Sequence, residues 1–299
     1  MNKVLLLSGH DIDVLQDANI EADIRDVYKK GFIFRILKKN KYLIKYSLGD
    51  WKKKFADYNA VILFDTYYNE GIIECFCRLN PKIKIIFYCW NTIETIKMRV
   101  SMKNIFNNKK IEIWSYNYED CKKYSIKYNQ QFWNKKLVCS VKKSKFDISF
   151  IGSPKNRIEY LQSINRYCEE NDLVTYFYIT NCKEKFNKNL EGKFMPYKSY
   201  ILDIASNSRA ILDLVTNENI GLTLRPLEAL FLGKKLITNY SDIIREPFYN
   251  SNNIYILGNE KISICDFLTL PYIQVDKSII ESYDCEEWLR SEERRVGKE

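Results

Sequence analysis

A single histidine, His10, stands in 299 residues. That scarcity argues against a metal centre built on imidazole. The nine cysteines are odd in number and scattered. Cys75 and Cys77 are the one close pair, and no spacing matches a zinc site. No metal or other cofactor is therefore expected. No apolar run is long enough to span a bilayer, and no signal-peptide pattern is visible. A reducing cytoplasm is the expected setting. The sequence also lacks internal repeats, low-complexity tracts and any recognised nucleic-acid-binding motif. Its basic residues are not gathered on an obvious recognition helix, so nucleic acid is not an expected partner.

What the chain does have is an uneven charge. Residues 1–150 hold 28 Lys and Arg against 16 Asp and Glu, a balance of +12. The remainder holds 19 against 22, a balance of −3. Such a contrast points the first half at an anionic partner, with a lysine-rich solvated surface as the plain alternative. Lys52, Lys53 and Lys54, then Lys109 with Lys110, and Lys142 with Lys143 form clusters suited to anionic lipid headgroups. The expectation is a peripheral, salt-sensitive attachment to an anionic membrane surface through residues 1–150.

Strand and helix patterns alternate along the chain. Residues 4–7, AVILF at 60–64, 83–88 and 111–114 are short apolar runs that read as buried parallel strands. Helices are expected over 22–40, 72–79 and 118–124. A lysine-rich stretch at 136–145 serves as the linker candidate. A second alternation follows, with strands at 147–151, 174–179, 211–215, 236–238 and 254–257 and helices at 155–170 and 197–210. A last helix begins near Asp284. The implied fold class is α/β with parallel sheets covered on both faces, in two domains, 1–140 and 141–290. Residues 291–299, SEERRVGKE, carry six charged side chains and no apolar face. They are set apart as a non-native tail.

The densest signal lies at 221–239, GLTLRPLEALFLGKKLITN. Pro226 suits the first helical position, which places Glu228 in the first turn. Leu227, Leu230 and Phe231 share a face. Gly233 ends the helix, and Leu236, Ile237 and Thr238 continue as a strand. Gly221 allows close backbone approach, and Thr223 and Arg225 add donors, a combination suited to an anion.

This segment resembles the donor site of bacterial glycosyltransferases of the GT-B fold. It is similar in particular to those that build lipopolysaccharide and capsule. FDISFIG at 146–152, AILDL at 210–214, FYNSNNIYIL at 248–257, ILFDTYY at 62–68 and IIFYCWNTI at 85–93 fit the same group. The resemblance implies two Rossmann-type domains facing a cleft, the first for the acceptor and the second for a nucleotide sugar. A final helix often crosses back to the first domain in such enzymes. It also implies a metal-independent reaction, with a lipid-linked or lipopolysaccharide glycan as acceptor. Many retaining members carry two glutamates eight positions apart. Here Ile220 stands eight positions before Glu228, so retention or inversion stays open.

Sugar transfer needs a stabilised diphosphate, a held nucleotide and a base for the acceptor hydroxyl. Gly221, Thr223 and Arg225 are candidates for the diphosphate, with Lys155 and Arg157 as a second group. The alternatives are a structural ion pair for Arg225 and solvation for the other two. Glu228 is the candidate for ribose hydroxyls, or else serves only the helix dipole. Asp65 and His10 are candidates for the base, each with a simpler alternative as a turn cap or an uninvolved loop residue. Trp90 and Asn91 are candidates for the acceptor side. A non-catalytic nucleotide-sugar-binding protein is the rival function.

Overall fold

The computed structural model describes residues 3–8, 13–15, 18, 20–40, 42–65, 70–98, 100–138, 144–153, 156–180, 195–216, 221–259 and 261–296, with the side chains of Ser8, Asp13, Glu70 and 291–296 left aside. His10 and Lys155 lie outside this set. The chain divides into two compact units: Met1–Gln130 with Trp288–Glu299, and Gln131–Glu287.

The first unit is a parallel sheet of six strands among the described residues. These are β1 (Val4–Ser8), β2 (Ala22–Asp26), β3 (Ala60–Phe64), β4 (Lys84–Cys89), β5 (Ile111–Ser115) and β6 (Lys127–Tyr128). Their order is β2-β1-β3-β4-β5-β6. All five residues of β3 are buried, as expected of a parallel strand covered on both faces. The core joins Leu5, Leu63, Phe76, Phe87 and Ile105.

The helix expected over 22–40 is corrected. Residues 22–26 form β2, which pairs in parallel with β1 from Val4↔Ala22 to Ser8↔Asp26. Helix begins only at Phe32 and ends at Leu37. Gly31, at φ 128°, separates the two, a backbone angle that side chains with a Cβ rarely adopt.

The second unit has five strands among the described residues: β7 (Phe146–Gly152), β8 (Thr175–Ile179), β9 (Ser208–Asp213), β10 (Lys235–Thr238) and β11 (Ile254–Ile256). Their order is β11-β10-β9-β7-β8, all parallel. Ile148, Phe177, Leu212, Ile237 and Phe267 lie in its core. Residues 197–210, expected as one helix, instead make a helical turn at Tyr197–Ser199, a wider turn at Tyr200–Ile204 and a tight turn at Ala205–Asn207. Strand β9 then starts at Ser208, because Ser208 pairs with Phe146 and Ala210 with Ile148.

The two compact units meet in sequence at Gln130 and Gln131. Trp133 explains why the following residues group with the second unit. It is fully buried, its N–H donates to Tyr283 O, and Cys285 N–H donates to its carbonyl. Lys135 N–H donates to the buried Asp284 carboxylate at 3.0 Å. The last helix, Cys285–Val296, runs into the segment set apart as a tail. Trp288 is 1% exposed and counts with the first unit, where it packs on Phe64 and Tyr88 at ring separations of 6.4 and 5.2 Å.

Candidate functional site

Each sheet starts with a strand, adds the next strand on one side, then crosses to the other. Chain direction across the sheet therefore reverses between β1 and β3, and again between β7 and β9. Ligands in open α/β sheets collect outside the carboxyl ends of the strands at such a reversal.

In the second unit that place is occupied by Gly152 ending β7 and Ser153 after it, Asp213 ending β9, and Thr238 ending β10. Helix Leu224–Leu232 points its start at the same region through Thr223. The helix starts two residues earlier than Pro226 implies. Pro226 is thus its third residue, still within the first turn, where a missing N–H costs nothing. Glu228 falls beyond that turn. Gly221 takes φ 74° and Gly233 φ 60°, both in the region that favours glycine.

Arg225 is pinned on three sides. Its Nη1 donates to Glu228 Oε2 at 2.5 Å and its Nη2 to Ile151 O at 2.8 Å. Its guanidinium lies 4.4 Å from the ring centre of Tyr200. Burial opposes its charge, but the Glu228 carboxylate outweighs that cost and raises its pKa.

Glu228, the candidate for ribose hydroxyls, is turned into the protein. It is 0% exposed, and both oxygens are engaged inside the protein. Tyr197 Oη donates to Oε1 at 2.8 Å and Tyr200 Oη to Oε2 at 3.0 Å. Trp133 Nε1 donates in turn to Tyr197 Oη at 2.7 Å. Burial first, with the Glu228 charge nearby, pushes both tyrosines well above their ordinary pKa, so they stay protonated donors. The carboxylate's role here is to hold Arg225.

Arg157 is less confined. Its Nη2 donates to Ser153 O at 3.1 Å, and its guanidinium lies 5.1 Å from the Phe150 ring centre. Its Nε is buried without an acceptor among the described residues. Burial lowers its pKa, Asp213 works the other way, and the like charge of Arg225 adds to the lowering. Gly152 leaves room for this guanidinium: a Cβ there would sit 3.4 Å from Arg157 Nη2 and 3.3 Å from Phe150 Cζ.

Asp213, 5% exposed, was overlooked as a site residue. Thr223 Oγ1 donates to its Oδ1 at 3.2 Å, and Thr238 Oγ1 donates to its Oδ2 at 3.3 Å. Thr223 therefore spends its hydroxyl on Asp213 and makes no side-chain cap on the helix it precedes. Burial pushes the Asp213 pKa up to about 6, against the pull of Arg225, Thr223 and Arg157.

This shift predicts a pH slope. The unfolded chain loses the Asp213 proton near pH 4, whereas the folded chain keeps it to about pH 6. Raising the pH through that window favours the unfolded state by about 3 kcal/mol, and the cost stays constant above it. Asp213→Asn is expected to flatten stability between pH 4 and 6 in urea titrations. An unchanged slope would remove Asp213 as its source.

The described residues also place Asp65 at the reversal in the first sheet. It is 2% exposed. Asn91 donates its backbone N–H at 2.8 Å and its side-chain amide at 3.2 Å to Asp65 Oδ2. The carboxylate of Asp65, a candidate for the base, thus fixes the turn after β4 through Asn91. Trp90 is half-buried and packs on Phe64 at 5.7 Å. Among the described residues, no group of three or more His, Cys, Asp and Glu side chains is placed to hold a metal ion.

No protein-family model matches the chain, and no curated protein matches it in sequence. Solved structures match in fold. Sucrose-phosphate synthase from Thermosynechococcus elongatus superposes with a TM-score of 0.58 at 9% identity, covering 100% of this chain and 99% of that one. Anabaena HepE, solved in complex with UDP, gives 0.55 at 8% identity, with 100% of each chain covered. UDP-GlcNAc 2-epimerase from Methanocaldococcus jannaschii gives 0.51 at 10% identity, again with 100% of each covered. At such identities the likeness is one of architecture, and these two parallel-sheet α/β units have the GT-B-like fold.

Proposed function

We propose that the chain is a glycosyltransferase that moves a sugar from a nucleoside diphosphate donor to an acceptor hydroxyl. The observation that carries this reading is the pair of guanidiniums at the reversal of the second sheet. Arg225 is locked in place, and Arg157 beside it has an Nε–H without an acceptor among the described residues. As the glycosidic bond breaks, negative charge grows on the leaving diphosphate. Preorganised donors there lower the barrier because they need no reorganisation at the moment of reaction. Gly221 and Thr223 border the same place, and Lys155 belongs to the proposed donor group by its position in sequence. His10 is kept as the proposed base. The neighbours in fold support nucleotide chemistry: one was solved with UDP and another acts on UDP-GlcNAc.

The proposed acceptor is a lipid-linked or lipopolysaccharide glycan. The proposed workplace is the cytoplasmic face of a membrane, with the protein held peripherally by its basic half. No helix among the described residues is long and apolar enough to cross a membrane. No bound metal enters the proposal, since the two arginines take the diphosphate charge.

The test is a thermal-shift screen with UDP and a panel of nucleotide sugars, followed by transfer and hydrolysis assays in EDTA. A ligand at 100 times its dissociation constant is expected to stabilise the fold by about 2.7 kcal/mol. Binding without turnover on any acceptor would favour the non-catalytic rival. No shift with any nucleotide would sink the donor site, and activity lost in EDTA but restored by manganese would sink the metal-free step.

A further inference from the structure

After β2 the chain leaves the first sheet and returns through a closed stem. Tyr28 bridges Leu48 in antiparallel fashion. Lys29 N–H donates to Ser47 O at 2.8 Å and Gly49 N–H to Val27 O at 3.0 Å. Val27, Ile44 and Leu48 are buried and tie the stem to the core. The segment between is different. Helix Phe32–Leu37, FIFRIL, buries none of its residues. Phe32 is 76% exposed, Ile33 68% and Ile36 56%, and Tyr42, Leu43 and Tyr46 are exposed beyond it. Single exposed apolar side chains are ordinary, but six between Phe32 and Tyr46 point to an external partner.

The charge of the segment says which partner. Between Asp26 and Asp50 the sequence has seven Lys and Arg and no acidic residue. A pocket of about 810 Å³ at the stem is lined by Lys53 and Lys54 beside Lys29 and Lys30, and by Asp23, Asp26 and Asp50. A second copy of the chain would bring two sets of seven cations from residues 27–49 together, with no acid within that stretch to pair them. Nucleic acid would answer the cations but leave Phe32, Ile33 and Ile36 in water. An anionic lipid surface answers both, because apolar side chains enter the boundary between headgroups and acyl chains while lysines and arginines meet phosphates.

We propose that residues 29–48 are the membrane-docking element, with Phe32, Ile33 and Ile36 inserted shallowly and the surrounding cations on anionic headgroups. This rests on the membrane attachment proposed above and assigns it to one segment. The test is co-sedimentation of the full chain with phosphatidylglycerol-containing and with purely phosphatidylcholine vesicles. The wild type is expected to bind the former at low salt. Ile33→Ser combined with Ile36→Ser should weaken that binding by at least roughly tenfold without altering thermal unfolding, since both side chains are already in water. Arg35→Glu with Lys39→Glu should weaken it by roughly fivefold or more for each charge. Lys109→Glu with Lys110→Glu, outside the segment, should change it far less. If the wild type binds and both segment variants bind equally well, the assignment is overturned while membrane attachment stands. If the Lys109 and Lys110 variant loses as much, diffuse charge is responsible and the assignment again fails. No binding by the wild type to anionic vesicles at low salt overturns both. A wild-type dimer in sedimentation velocity that the Ile33 and Ile36 variant abolishes assigns the patch to self-association instead.

Discussion

Replacing Glu228 by alanine is expected to destabilise the second unit by about 3–5 kcal/mol. The side chain is completely buried and receives three donors, from Arg225, Tyr197 and Tyr200. Its removal strands a guanidinium without its counter-charge and leaves two tyrosine hydroxyls without their acceptor. Each of those losses is costly in a site that water reaches poorly. The truncation also opens a cavity beneath the helix Leu224–Leu232. Glu228→Gln keeps the shape and one acceptor oxygen, so a smaller loss is expected. Arg225 would lose the charged one of its three anchors, and transfer should fall in both variants. Urea unfolding followed by tryptophan fluorescence measures the effect, because Trp133 ends the same hydrogen-bond chain. A loss below about 1 kcal/mol for the alanine variant would show that the carboxylate is not the anchor of this site.

Arg157→Ala should behave in the opposite way, with a large kinetic effect and a small structural one. Among the described residues no buried carboxylate depends on Arg157 by a hydrogen bond, since Asp213 is held by Thr223 and Thr238. Stability should therefore change by no more than about 1 kcal/mol. Turnover is expected to fall by about 10²–10³, the usual result of removing one donor aimed at charge that develops in the transition state. Donor affinity should fall much less, because that charge is only partly present before the bond breaks. Arg157→Lys is expected to recover part of the rate, as a lysine restores the charge but not the planar fork. Equal losses in affinity and turnover would make Arg157 a general binding residue. Unchanged kinetics in both variants would remove it from the site.

The buried strands were legible because parallel strands covered on both faces read as continuous apolar runs. AVILF at β3 is the plainest case. Strand β2 was not legible. ADIRD has two acids, an arginine and no apolar run, and its extended form comes from pairing with β1, which a single sequence does not display. Position along the chain marked Arg225 and Arg157 as basic residues at two separate strand-to-helix turns, and the fold brings both to the end of β7, where they donate to Ile151 O and Ser153 O. Position could not reveal that Glu228 faces inward, because Pro226 suggested a helix start two residues too late. Tyr197, Tyr200 and Trp133 were invisible as partners of Glu228, since they come from separate turns gathered only by the fold. Asp213 sat inside an apolar run, AILDL, and its burial depends on where β9 ends.

Trp288 has a consequence for how the molecule is made. Its ring completes an aromatic cluster with Phe64 and Tyr88, yet it is separated from them by roughly two hundred residues, and contacts that distant are slow to close. During synthesis the first unit emerges well before its last aromatic ring exists. Until residue 288 leaves the ribosome, the faces of Phe64 and Tyr88 that Trp288 covers stay uncovered, a surface on which chaperones or stray chains can settle. Synthesis halted before that point would leave a nascent first unit that has its whole parallel sheet but not its plug.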